Sequence, residues 1–191
     1  MNYKQRLIDR ANTLDVYDIA SVVIADPRFE VWSCSSKPNQ HHYGKGGLVH
    51  HTCEVVDLCF ANMSTLQLDL DPIEVYLSAL FHDCGKMWDY YPNNTDYTEW
   101  RGTEHKRIIH HISRSALVWN NAVTVHIYSS KYGKYADNVT HNILSHHGYR
   151  EWGSPVMPYT KTAWLLHLCD GISARMNDGD KCDFTKKVEN Q

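Results

Sequence analysis

The sequence predicts an all-α domain with room for one short β-hairpin. Apolar residues recur at three- and four-residue steps along most of the chain, and helix start and stop signals bracket those stretches. No internal repeat or low-complexity segment interrupts the pattern. At 191 residues the chain is long enough for one proper core and too short for two, so a single domain is expected over 1–178, followed by a charged tail at 179–191.

In chain order, Leu7, Ala11, Leu14, Ile19 and Val23 mark one or two N-terminal helices, ended by Asp26-Pro27. The turn-rich SCSSKPNQHHYGKGG then reads as a loop. From Leu48 a helix carries Val55, Leu58, Cys59, Asn62 and Leu66, and His51, four residues before Val55, shares their inward stripe. Asp71-Pro72-Ile73-Glu74 supplies an N-cap acid, a proline at the first helical position and a glutamate at N3. Ile73, Leu77, Leu80 and Phe81 form the buried face, His82 and Asp83 arrive in the last turn, and Gly85 is the expected stop.

The aromatic KMWDYYPNNTDYTEWRG is an excursion, with a hairpin expected around Pro92-Asn93-Asn94. A further helix is expected from near Thr103, with Ile108, Ile109, Ile112, Ala116 and Trp119 inward and His111 beside that stripe. After the basic, tyrosine-bearing YSSKYGKYAD, the next helix carries Val139, Ile143 and His146, with His147 adjacent and Gly148 closing it. Beyond YREWGSPVMPYT, a last long helix puts Ala163, Leu166, His167, Asp170 and Ala174 on one face.

The net charge is -3 with both signs mixed along the chain, so the strongly basic face of a long nucleic-acid footprint is not expected. No apolar stretch approaches a membrane span and MNYKQRLIDR lacks an apolar signal core, which points to a cytoplasmic protein. The six cysteines form no CxxC pair and read as reduced, buried small hydrophobes. Histidine is the outlier at thirteen residues, and imidazole is the commonest metal ligand.

Each expected helix delivers an inward imidazole or carboxylate near its end: His51, the pair His82-Asp83, His111, the pair His146-His147, and Asp170. Burying any one of them alone is costly, and a shared cation removes the cost from all at once. The phase of the helix favours His111 over its neighbours His110 and His105, which stay open as alternatives, and His167 is read as a core or supporting residue. Mixed imidazole and carboxylate ligation suits Mn²⁺, Fe²⁺, Co²⁺ or Ni²⁺, with Zn²⁺ and Mg²⁺ also compatible.

Three stretches, HHYGKGGLVHHT, ALFHDCGK and NILSHHGYREWGSPVMPYTKTAWLLHLCDGISARMN, resemble the HD superfamily of metal-dependent phosphohydrolases. More narrowly they resemble the HD domain of bacterial 3′-to-5′ exoribonucleases of the OB-plus-HD type, over roughly residues 40 to 178. The resemblance implies an HD-domain helical bundle in which His51, His82, Asp83 and Asp170 hold one metal. Asp83 would bridge to a second metal on His111, His146 and His147. The chain departs from that family in one respect: the residues before Gly46 are too few and too helical for an OB domain, which moves the expected substrate towards a nucleotide or short single-stranded nucleic acid.

Two divalent cations at such a set lower the pKa of a bridging water and hold a phosphate oxygen, making Asp83 catalytic as well as a ligand. Lys86, expected at the pocket rim, would neutralise charge on the phosphate. Lys131 and Tyr132, with Tyr128, Lys134 and Tyr135, interleave charge with stacking rings, and Tyr149, Arg150 and Trp152 would form an opposing wall. His42 and Lys45 are weaker candidates. The alternatives are a nucleotide phosphohydrolase acting on a dNTP, nucleoside monophosphate or cyclic nucleotide, an HD-fold diiron oxygenase, and a non-catalytic module stapled by metal. Oligomeric state has no signal in the sequence.

Overall fold

The structure is a computed structural model that describes residues 2–125 and 131–176. Tyr128, Cys182 and the expected tail at 179–191 lie outside the described residues. Helix α1 (Tyr3–Thr13) starts on Asn2, whose side-chain oxygen accepts from Gln5 N at 3.0 Å. With α2 (Tyr17–Ile24) it buries Leu7, Ala11, Ile19 and Val23. Asp26-Pro27 ends α2 as expected but also begins a third helix, α3 (Pro27–Val31). Asp26 Oδ1 accepts from Arg28 N at 2.9 Å, and Pro27 sits where its missing N–H costs nothing.

Loop 33–46 folds back onto the start of α4 (Gly47–Thr65) so closely that a Cβ on Gly47 would lie 1.8 Å from the His42 carbonyl oxygen. Helix α5 (Pro72–Phe81) is capped by Asp71, which accepts from Ile73 N at 2.8 Å. Glu74 turns to the side-chain amides of Asn138 and Asn142, at 3.0 and 3.2 Å, and so ties α5 to a helix far along the chain. Every residue from Val75 to Phe81 is buried, as befits a helix packed by α4 on one side and by α2 and the C-terminal helices on the others.

The chain leaves α5 through a tight turn at 82–85 into α6 (Lys86–Asp89). Gly85 is not a left-handed stop, since its φ is -61°. Glycine is required there for space: a Cβ would stand 2.2 Å from the His111 carbonyl oxygen, and Gly85 N donates to Ser115 Oγ at 2.9 Å. The hairpin follows as β1 (Tyr90–Pro92) antiparallel to β2 (Trp100–Gly102), with Tyr90 opposite Gly102.

The helix expected from Thr103 is broken into α7 (His105–Ile108) and α8 (His111–Val125) by His110, at φ +69°. Asp89 causes the break, because its Oδ2 accepts from His111 N at 3.0 Å and caps α8 from across the fold. Ile108, expected inward, is therefore 71 % exposed. A short 3₁₀ turn at Gly133–Tyr135 leads into α9 (Ala136–Ser145), another at Arg150–Trp152 follows, and α10 (Lys161–Met176) closes the bundle.

Trp119 anchors α8 in the core, edge-on to Phe81 at 5.2 Å, with its Nε1 donating to Ala136 O at 3.1 Å. Cys34, Cys53, Cys59, Cys84 and Cys169 are free and buried. Among the described residues no helix is long and apolar enough to cross a membrane. The architecture is the predicted all-α bundle with one hairpin. Gly85→Ala is expected to lower the unfolding free energy by about 1–3 kcal/mol through overpacking against α8. Chemical denaturation beside an exposed control, Gly133→Ala, checks this.

Candidate metal centre

Five helix termini and turns converge on one buried point. His51 comes from the second turn of α4, His82 and Asp83 from the turn after α5, and His111 from the first residue of α8. His146 and His147 follow α9, and Asp170 comes from the middle of α10. His51, His82 and His146 are fully buried and Asp83 is 1 % exposed.

Asp83 divides the cluster. Its Oδ2 lies 3.3 Å from His51 Nε2 and 3.4 Å from His82 Nε2, while Asp170 Oδ1 is 3.0 and 3.8 Å from the same two nitrogens. Its Oδ1 faces the other way, 3.4 Å from His111 Nε2 and 3.6 Å from His146 Nε2. The ligand atoms of His51, His82, Asp83 and Asp170 all lie within 4.8 Å of one another, as do those of His111, His146 and His147.

The outer hydrogen bonds fix which nitrogen of each ring faces inward. His82 Nδ1 donates to Ala79 O, His146 Nδ1 to Ile143 O and His147 Nδ1 to Trp152 O, each at 2.7 Å. His111 Nδ1 donates to Asp89 Oδ2 at 3.2 Å. His51 Nδ1 donates to Ser173 Oγ at 3.0 Å, and that hydroxyl donates onward to Glu54 Oε2 at 2.9 Å. With every Nδ1–H engaged outside, five Nε2 atoms are turned inward towards two carboxylates. His51 Nε2 and His82 Nε2 stand 3.3 Å apart, and Asp83 Oδ1, His111 Nε2 and His146 Nε2 have no hydrogen-bond partner. Acceptors crowded in this way fit divalent cations and little else.

Electrostatics agree. Burial pushes the His82, His111 and His147 imidazoles down, the last to about 4, so they are neutral and ready to ligate at pH 7. Burial also opposes charge on His51, yet the surrounding Cys34, Asp170 and Asp83 outweigh it and push that ring up to about 10: positive charge is favoured at its Nε2. Burial would raise Asp83 and Asp170, but Lys86 and His82 beside the first and His51 beside the second hold both below the ordinary carboxylate range.

Lys86 lies deeper than the rim position expected of it. Its Nζ is 2.6 Å from Asp83 Oδ2 and 3.2 Å from Cys34 Sγ, with the side chain 7 % exposed. A cavity of about 320 Å³ opens over it, lined also by His147, Asp170, His41, Trp152 and Arg175. Trp152 thus reaches the site, whereas Arg150 is exposed on its 3₁₀ turn and does not line that cavity.

Lys131 and Tyr132 are not brought there at all. Lys131 pairs with Asp15 at 2.9 Å, and Tyr132 is buried with its hydroxyl donating to Asp18, both against the N-terminal helices. His42 bonds Glu54, and Lys45 lies over the Tyr97 ring. Of the alternatives to His111, His105 is turned to Asp89 Oδ1 at 2.8 Å, and His110 packs its ring 4.1 Å from that of His111.

Sequence reasoning missed Asp89, Ser173, Glu54, His41, Cys34 and Arg175. Only Ser173 carried a signal, a small hydroxyl three residues after Asp170 on the same helix. Ser173→Ala is expected to weaken metal affinity about 10–100-fold by freeing the His51 ring, read by competition with a chromophoric chelator. Because His51 keeps its proton up to about pH 10, metal binding at pH 7 to 9 should release a proton and tighten as pH rises. Calorimetry in buffers of different ionisation enthalpy would show this, and binding heats independent of buffer would count against it.

A search of solved structures returns no match. A family model, the HD domain, matches residues 48–175, which span all seven candidate ligand positions from His51 to Asp170, and the chain therefore belongs to the HD domain family, whose members are typically metal-dependent hydrolases.

Proposed function

We propose that this chain is a dinuclear metal-dependent phosphohydrolase that cleaves phosphodiester bonds at the end of short single-stranded nucleic acid, in the manner of a 3′-to-5′ exonuclease. The observation that supports it is the division of Asp83, with Oδ2 towards His51 and His82 and Oδ1 towards His111 and His146. A carboxylate used in this way serves two cations. When bound, the pair supplies the Lewis acidity and charge for in-line attack of water on phosphorus. The donor set favours Mn²⁺, Fe²⁺, Co²⁺ or Ni²⁺.

The chain's own residues would do the rest. Lys86, on the cavity floor, holds a non-bridging phosphate oxygen and offsets charge as the bond breaks. Trp152 offers a ring at the mouth on which a base can stack, an interaction of about 1–3 kcal/mol. Arg175 can engage a neighbouring phosphate through its guanidinium fork. His41, pushed by burial and the nearby Lys86 to about 3, is neutral and can donate or accept a hydrogen bond without bringing charge. A second reading, hydrolysis of a free nucleotide phosphate, is favoured by Lys131 and Tyr132 being turned away, which removes the loop expected to track a strand.

The test is Mn²⁺-loaded protein against 5′-labelled RNA, single-stranded DNA and a nucleotide panel. Stepwise shortening from the 3′ end is expected, abolished in His82→Ala and Asp83→Ala with circular dichroism unchanged. Lys86→Met should lower kcat by about 10²–10³-fold. Cleavage of mononucleotides alone would replace the first reading with the second, and substrate-dependent oxygen uptake by iron-loaded protein without phosphate release would sink both.

A further inference from the structure

His42, His50 and Glu54 form a separate group of metal-competent side chains. His50 and Glu54 stand one turn apart on α4, with His50 Nε2 3.0 Å from Glu54 Oε1. His42 arrives from loop 33–46 at φ +51°, and its Nε2 lies 3.0 Å from Glu54 Oε2. Ligand atoms of the three lie within 4.8 Å of one another. His50 is about 100° around α4 from its neighbour His51, so the two rings serve different places.

We propose that His42, His50 and Glu54 bind one zinc ion at an auxiliary site distinct from the centre around Asp83. Two imidazoles and a carboxylate are the donor set of an open tetrahedral zinc, which keeps its fourth position for water or a small anion. Bonds of about 2.0–2.2 Å separate neighbouring tetrahedral donors by roughly 3.3 Å, so the spacings around Glu54 need to open by only a few tenths of an ångström.

The rings are already oriented for ligation. Tyr3 stacks on His50 at 4.1 Å and 15°, while the His42 side chain is 1 % exposed. His42 Nδ1 has no hydrogen-bond partner, and Nε2, the nitrogen turned to Glu54, is the one in place to ligate. Access comes from a concavity of about 640 Å³ at the start of α4, lined by both histidines. The lysines that share it are already paired, Lys4 with Glu30 of the same concavity at 2.9 Å and Lys45 over the Tyr97 ring at 5.5 Å.

His50→Ala is the cleanest variant, because Glu54 also accepts from Ser173, the partner of His51. Full-length wild type, His50→Ala and His141→Ala are equilibrated at the same buffered free zinc, and bound metal is counted by mass spectrometry. His141 is a partly exposed histidine outside the group. Wild type and His141→Ala should each hold one zinc per chain more than His50→Ala. Equal contents in all three, or equal losses in both variants, overturn the assignment. The comparison is a difference and does not depend on how many ions bind around Asp83. Zinc-edge anomalous diffraction from zinc-soaked wild-type crystals is independent of how the variants fold: a peak among the three residues is expected, and none there refutes the site.

Discussion

Everything in this fold is arranged around the burial of one carboxylate. Asp83 is almost sealed from water, and both of its oxygens are faced by the Nε2 atoms of imidazoles whose Nδ1–H groups are engaged elsewhere. Packing cannot satisfy such a group, and Lys86 supplies part of the charge balance from one side while the surrounding donors could hold metal for the rest. The chain must also leave helical geometry at this point without drifting away. The turn at 82–85 does so, and it holds only because Gly85 lets the start of α8 approach to a distance that no side chain would allow.

Asp89 extends the same constraint outward. Its fully buried carboxylate takes the backbone N–H and Nδ1–H of His111 on one oxygen and His105 on the other, while Arg114 Nε donates to the far nitrogen of His105. One acid therefore starts a helix, orients a candidate metal ligand and anchors the segment after the hairpin. Ser173 and Glu54 do the corresponding work for His51, across a separation of 119 residues.

These supporting contacts divide what could be read in the sequence from what could not. His51, His146 and Asp170 fall on apolar stripes of helical period, and His82-Asp83 follows a well-marked helix, so local pattern alone places them inward. Asp89 ends the four-residue α6 and Cys34 lies in loop 33–46, both too short or irregular to show a period, and only tertiary contact gives them meaning. The same limit explains Ile108: the helical phase through residues 103–112 was sound as a pattern, but the Asp89 cap restarts the helix at His111 and turns that isoleucine out. Lys131 and Tyr132 had the composition of a nucleic-acid contact, yet their partners Asp15 and Asp18 lie more than a hundred residues earlier, where no local reading finds them.

One feature of the cavity mouth ties recognition to the interior. The carbonyl that accepts the His147 Nδ1 proton belongs to Trp152, the residue whose indole borders the opening. A shift of the Arg150–Trp152 turn that re-aims this carbonyl would re-aim the His147 ring with it, so the cavity wall and the imidazole are joined through one hydrogen bond.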